Sequence, residues 1–492
     1  MNTSTTPFFP PWRCWQRPAA APTRPSTAWL HRATLTELER ECADALPANL
    51  LTRPAAGTNS RQRIYTRPRT FWCFLWQVLQ PQASCREVVR QVQALGQIQG
   101  RGTMDEGTSA YCQARQRLPL SVLESALTGS ARRVELQHRA VLSCLQGREV
   151  KVVDGTTLTL PDTPANQRHY PQMANQQTGC GFPLLKLVVL FSLRSGAILA
   201  RYTGNKPRDE RQGLHACQTA LAAGDILLGD RHWGNFVVAL WAVERGVDLI
   251  ARVPTASRRV DFRQGQRLGR LDRLVQWHKL HTPAVGFTAE QWARVPETLR
   301  VRLIRTQIRR AGFRTRQITL VTTLLDPDAY PAQEILQTYR QRWALELCLD
   351  DLKTTLGMAT WRCRTPAMVQ KELLAFLIAH NLLRWIMGQA ARQESVELRR
   401  ISFKGTMDAV RHFQIAMTQT TNRKQRRSLW QELLRIIATD LVPQRPNRRE
   451  PRVVKRRIKY PHLTRPRHIQ RDRPTRHARR IKSKRGLHVT QV

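Results

Sequence analysis

The stretch Glu334-Ile-Leu-Gln-Thr-Tyr-Arg-Gln-Arg-Trp-Ala-Leu-Glu-Leu-Cys-Leu-Asp-Asp-Leu-Lys353 decides how this chain is read. It holds no Gly or Pro and is rich in Leu, Gln, Arg and Glu, so a helix is predicted. Pro331 suits the first turn of that helix, and Gly357 lies near its expected end. Tyr339, Arg342, Glu346 and Lys353 are separated by three, four and seven residues. At about 100° per residue they project within roughly 60° of one another, on one helical face. A hydroxyl, a guanidinium, a carboxylate and an ammonium on one face suit a metal ion held against a phosphodiester. Glu346 offers oxygen to Mg²⁺, while Arg342 and Lys353 neutralise phosphates. A solvated face with ordinary ion pairs has the same spacing, so the rest of the chain must decide. Asp350 shares the face and competes with Glu346; Asp351 points away.

Composition narrows the partners. The 492 residues carry a formal charge of +44, with a pI near 11.4. Self-repulsion on that scale opposes compaction, and a polyanion such as DNA or RNA supplies the reason to keep it. No apolar run approaches the roughly 18–20 residues that span a bilayer, and the first 22 residues lack a basic-then-apolar signal pattern. A membrane partner is not expected, and the cytoplasm is the expected compartment. The ten cysteines are scattered, without a Cys-x-x-Cys pair. That argues against a zinc ribbon or a disulfide framework and for thiols in a reducing compartment.

In chain order, residues 1–30 read as a flexible start and 31–145 as a helical domain. A short helix is expected from Thr34 to about Leu46. Two amphipathic helices between Arg69 and Leu95, separated by Pro81 and capped at Ser84, could bind DNA. From Glu149 the texture turns to alternating strands and helices. Val150-Lys-Val-Val-Asp154 and Asp225-Ile-Leu-Leu-Gly-Asp230 are short apolar runs, each ending on an aspartate. Leu184–Leu193 is the most apolar strand candidate, and a fifth strand is expected at Val247–Val253. Residues 254–325 alternate basic and apolar residues and read as a β-rich insertion. Residues 326–395 carry the Glu346 helix and a long apolar helix, and 396–440 a further helical region. From 441 onward, 18 basic residues face two acidic ones, Glu450 and Asp472, a net +16 that reads as a disordered tail awaiting DNA.

Tyr339-x2-Arg342-x3-Glu346-x6-Lys353 matches, position for position, the Tyr-Arg-Glu-Lys signature of the IS-four family of insertion-sequence transposases. The chain resembles that family from about residue 70 to about residue 465. The resemblance implies a DDE enzyme: a ribonuclease H-like α/β core from 146 to 253, interrupted by the β-rich insertion and resumed at 326, between a helical N-terminal DNA-binding module and a helical, basic C-terminal region. The family requires two aspartates upstream, each leaving a strand. Asp154 and Asp230 fill those places, giving Asp154, Asp230 and Glu346 as catalytic and metal-binding residues. The signature spacing prefers Glu346 over Asp350.

Phosphodiester cleavage develops charge on the attacking and leaving oxygens, and two divalent ions roughly 3.5–4 Å apart stabilise both. Hard Mg²⁺, or Mn²⁺, takes carboxylate oxygens without thiol or imidazole. His232 follows Asp230 closely, but metal-assisted chemistry needs no imidazole. The resemblance further implies nicking at a transposon end, attack of the freed 3′-hydroxyl to give a hairpin, and joining to target DNA. In that picture double-stranded DNA is the partner and a homodimer forms the synaptic complex. Tyr339 and Arg342 hold the backbone around a flipped base, and Lys353 contacts a nearby phosphate. Flipping needs an aromatic stacking partner, for which Trp277 and Trp292 are the candidates; each also suits a packed core. Two rivals share these residues: a ribonuclease H-like nuclease or resolvase, and an inactive DNA-binding protein derived from a transposase.

Overall fold

Among the described residues nine strands join in one mixed sheet. The structure is a computed structural model that describes residues 42–47, 49–52, 57, 64–80, 82–98, 105–138, 145–205, 210–254, 260–284, 287–307, 317–420, 422–443 and 466. The expected flexible start, most of the Thr34–Leu46 helix and nearly all of the basic tail lie outside these residues.

Strands β1 (Val150–Thr159), β2 (Leu184–Ser192) and β3 (Ile198–Gly204) form an antiparallel meander. Strands β4 (Ile226–Gly229) and β5 (Asp248–Arg252) then add in parallel beside β1. Their Val, Leu and Ile content suits a sheet covered on both faces. The next strands are β6 (Gln266–Gly269), β7 (Asp272–His278), β8 (Thr298–Gln307) and β9 (Gln317–Thr322), all antiparallel to their neighbours. Strand β9 pairs with β5 through Ile250 and Thr322, so the basic–apolar segment extends the same sheet. Its anchor is a buried two-point ion pair: Arg302 Nε and Nη2 lie 2.9 and 2.5 Å from the Asp272 carboxylate oxygens.

Alternation along the strands divides two cores. Val152, Val189 and Leu228 face the first, with the helix Pro366–Gln393; Val153, Leu190 and Leu227 face the second, with the helix Phe236–Val243. The N-terminal helices Arg67–Leu79, Cys85–Ile98, Ser109–Arg117 and Leu120–Gln137 join the first core through Phe71, Val89, Tyr111 and Leu123. Ser84 caps the second of them: its Oγ accepts from Glu87 N at 3.3 Å, and its own N–H bonds Glu87 Oε2.

Two expectations need correction. The Pro366–Gln393 helix is long and apolar enough to cross a membrane by length and composition, which the sequence reading did not allow for. Its most apolar window is 89% buried inside the fold, because it packs between the sheet and the N-terminal helices. Truncating a centre such as Leu374 to Ala would cost about 2–5 kcal/mol. The Glu334–Lys353 stretch is also not one regular helix. A helix Ala332–Gln341 stops at Arg342, whose N–H bonds Tyr339 O three residues back. A second helix, Trp343–Asp350, follows, then a π-helical turn Asp351–Thr355 closed by Leu356 N–H to Asp351 O at 2.8 Å. Gly357, at φ +76°, ends it.

Candidate active site

The register of β1 and β4 places the first two carboxylates. Val152 pairs in parallel with Leu228, so the same register carried two residues further brings Asp154 level with Asp230. Val152 and Leu228 face the first core, and alternation by two puts both aspartates on that face. The two helices of the Glu346 stretch lean on the same core through Ile335, Leu336 and Leu349, with Leu352 of the π-helical turn beside them. Asp230 directly follows β4, as expected. Asp154 does not end its strand: β1 continues to Thr159, because Gly155 pairs across with Val188 and Thr156, Thr157 and Thr159 keep the β-branched pattern.

The loop after Asp230 is tightly built. Asp230 Oδ1 accepts from His232 N at 2.7 Å. A Cβ at Gly229 would stand 2.6 Å from Trp233 Cβ, and one at Gly234 would stand 2.1 Å from Arg252 O. Glycine is needed at both positions for these close approaches.

Electrostatics tie the parts together. Burial raises the Asp154 carboxyl to about 6; the Gly155 N–H and Arg342 oppose that, while the negative charges of Asp230 and Glu346 add to it. Arg342 Nη2 lies 2.5 Å from Glu346 Oε1, and the guanidinium stands 5.8 Å from the Tyr339 ring centroid. Burial works against the Arg342 charge, but the bond to Glu346 and the charges of Tyr339, Glu346 and Asp154 raise its pKa. Burial also raises the Tyr339 hydroxyl, against the pull of Arg342. Asp154, Asp230, Tyr339, Arg342 and Glu346 thus form one charge-coupled group. Asp350 instead accepts from Thr354 Oγ1 at 2.8 Å on an exposed face.

Lys353 sits half-buried on the π-helical turn and joins no ion pair among the described residues. Trp277 and Trp292 are 4% and 5% exposed, and Trp292 Nε1 donates to Leu280 O at 2.9 Å. Neither presents a face to a base, which corrects the stacking assignment. The sequence reading missed Trp343, beside Arg342, which is 64% exposed, with Leu347 one turn on at 55%. An exposed Trp next to a polar cluster is unusual for so large an apolar side chain, but sequence alone cannot separate it from a core Trp.

The donors present are hard carboxylate oxygens, which suit Mg²⁺ or Mn²⁺. Burial, with repulsion from Asp230 and Glu346 added to it, raises Asp154, and a bound cation would offset both. Among the described residues no three such groups already stand at coordinating separations. Glu346 is turned to Arg342, and its carboxylate would have to swing from that partner to share a metal.

Residues 145–382 match a family model described as the transposase DDE domain, a span that holds all three carboxylates. The transposase InsG for insertion sequence element IS4 of Escherichia coli (strain K12) is 26% identical over 431 residues, 85% of this chain and 92% of that protein. A probable transposase for insertion sequence element IS5377 of Geobacillus stearothermophilus is 38% identical over 88 residues, 18% of this chain and 22% of that protein. Among solved structures, the cryo-EM structure of the piggyBac transposase synaptic complex with hairpin DNA overlaps with a TM-score of 0.39 at 11% identity, covering 82% of each chain. The match across the carboxylates and the alignment over most of both chains place the protein: it belongs to the DDE transposases of the IS4 family.

Proposed function

We propose that this transposase performs cut-and-paste transposition at a ribonuclease H-like core made by β3-β2-β1-β4-β5. Three antiparallel strands followed by two parallel ones, with helices on both faces, support that topology. Water attacks one phosphodiester at the transposon end and releases a 3′-hydroxyl. That hydroxyl attacks the opposite strand to form a hairpin; the hairpin is reopened, and the ends join target DNA. Double-stranded DNA is therefore both substrate and target. Cytoplasmic action as a homodimer completes the reading.

The single observation that carries the proposal is geometric: the parallel register of β1 and β4 brings Asp154 level with Asp230, and the helix bearing Glu346 packs on the same face of the sheet. Two Mg²⁺ ions held by these residues, with Mn²⁺ as a substitute, would stabilise charge on the attacking and leaving oxygens. Arg342 parks the Glu346 carboxylate and is free to turn to a phosphate once that carboxylate is engaged. Tyr339 braces Arg342 from the other side. Lys353 offers its ammonium to the next phosphate. Trp343, exposed beside Arg342, is the stacking surface for a flipped base, in place of Trp277 and Trp292.

The test is product analysis on DNA bearing the element's own end. Hairpin and joined products from the wild type support transposition; simple nicks would shift the reading to a nuclease.

A further inference from the structure

Asp230 has a second residue level with it. The parallel register of β4 and β5 pairs Leu228 with Ile250 and Gly229 with Ala251. Carried one residue further, it sets Arg252 beside Asp230, as the β1–β4 register sets Asp154 on the other side. Val152, Leu228 and Ile250 all face the first core, and alternation by two turns Asp154, Asp230 and Arg252 to that same face. Adjacent strands lie about 4.8 Å apart, so two acids and a base form a row about 10 Å long across three strands.

The backbone of Arg252 is fixed from two sides. Strand β9 holds it through the pairing with Leu320 and the bond from Val253 N–H to Thr319 O at 2.9 Å. The turn that follows Asp230 closes over its carbonyl, since a Cβ at Gly234 would stand 2.1 Å from Arg252 O. Neither contact uses the side chain. The residue is half-buried, and among the described residues its guanidinium makes no hydrogen bond or ion pair, although an aspartate stands one strand away.

Electrostatics place that charge in the site. Burial raises the Tyr339 hydroxyl, Arg342 and Arg252 pull it down, and Asp230 pushes it up. Tyr339 thus lies in the field of two guanidiniums, of which Arg342 is bonded to Glu346 and Arg252 is not bonded to either aspartate. A half-buried charge ordinarily pairs. One held level with the acids and left uncommitted suits an anion that arrives with the substrate. A planar guanidinium, always charged, matches the paired oxygens of a phosphate.

We propose that Arg252 is a further phosphate-binding residue of this site. Its guanidinium takes the non-bridging oxygens of the phosphate next to the scissile one, on the side of Asp230 away from Asp154. With the carboxylates given over to metal ions, Arg252 neutralises the next charge along the DNA backbone and so fixes where the scissile bond lies. The assignment rests on the transposase reading, since it presumes that the cleaved bond lies at Asp154 and Asp230.

The test is a cycle between protein and DNA, run on the full chain with duplexes bearing the element's own end. Each duplex carries one neutral methylphosphonate at one of the phosphates flanking the cleaved bond. Wild type, Arg252→Gln and Arg252→Lys are compared by cleavage rate at saturating protein and, in EDTA, by affinity. Arg252→Gln should cleave unmodified DNA about ten- to a hundredfold more slowly, the scale of one charged hydrogen-bonded contact, with its melting temperature unchanged. Arg252→Lys should recover part of the loss. Wild type should lose a similar factor at one flanking position, where Arg252→Gln loses nothing further while staying sensitive at the others. Additive losses at every flanking position, or a wild-type rate for Arg252→Gln, overturn the proposal. So does a wild type insensitive to every flanking methylphosphonate, a result that does not depend on how the variants fold. Failure of wild type to cleave unmodified DNA would sink the transposase reading, and the same cycle in affinity would still decide the contact.

Discussion

Arg342 Nη2 stands 2.5 Å from Glu346 Oε1, one helical turn away, just where the helix breaks. The carboxylate proposed for catalysis is thus held by the residue proposed to take a phosphate. Its side chain is still 36% exposed, so the pair is loose enough to exchange partners.

Replacing Glu346 by Gln keeps shape and removes the charge. End binding should persist in a gel-shift assay, while cleavage falls by about 10³-fold or more, the scale of losing several kcal/mol of metal-mediated stabilisation. Arg342→Ala should differ in kind, weakening cleavage and DNA binding together. Wild-type cleavage by Glu346→Gln would remove that residue from the site.

Asp154 gives the metal-free protein a pH signature. Its folded carboxyl is raised to about 6, above its unfolded value, so between the two values the folded state binds more protons. Stability should then fall as pH rises from about 4 to 6, and the penalty should persist above that range. In EDTA at pH 8, Asp154→Asn should raise stability by about 3 kcal/mol, and at pH 3.5 by almost nothing. Urea titrations at both pH values decide it; an equal effect at both would mean the ionised carboxylate is not strained. Asp351, also raised to about 6 chiefly by burial despite Arg384, titrates in the same window and remains in the variant.

The Asp272–Arg302 pair couples the outer strands to the helix Ala332–Gln341, because Arg302 Nη1 also donates to Tyr330 O at 2.7 Å, just before Ala332. Asp272→Ala leaves a guanidinium that is 1% exposed without its counter-ion and should cost about 3–5 kcal/mol. Arg302→Met with Asp272→Leu should recover much of that loss. A melting temperature unchanged by the single substitution would show that the pair contributes no stability.

Removing residues 441–492 takes away a net +16. DNA affinity should fall, and the slope of log affinity against log salt should flatten, since each phosphate contact adds about 0.9 to it. An unchanged slope would mean that the tail touches no phosphates.

The local parts of the site are legible in the sequence. Asp154 and Asp230 each follow a short apolar run, and the spacing of Tyr339, Arg342 and Glu346 puts them on neighbouring turns. What depends on distant partners is not legible. The β9–β5 pairing joins residues about seventy apart, and no local pattern specifies it. The stop at Arg342 follows from a three-residue closure to Tyr339 and a side chain committed to Glu346, where propensity alone favours continuing the helix. Trp343 and Trp277 look alike in sequence; only the packed fold leaves one in solvent and the other in the core.

The most direct test of Asp154, Asp230 and Glu346 as one active site is Mg²⁺-dependent cleavage of DNA carrying the element's end, wild type against Asp230→Ala. Cleavage by wild type, lost in the variant and with EDTA while end binding stays intact, is the expected result. Equal cleavage by both proteins would contradict the assignment and place the chemistry elsewhere on the chain.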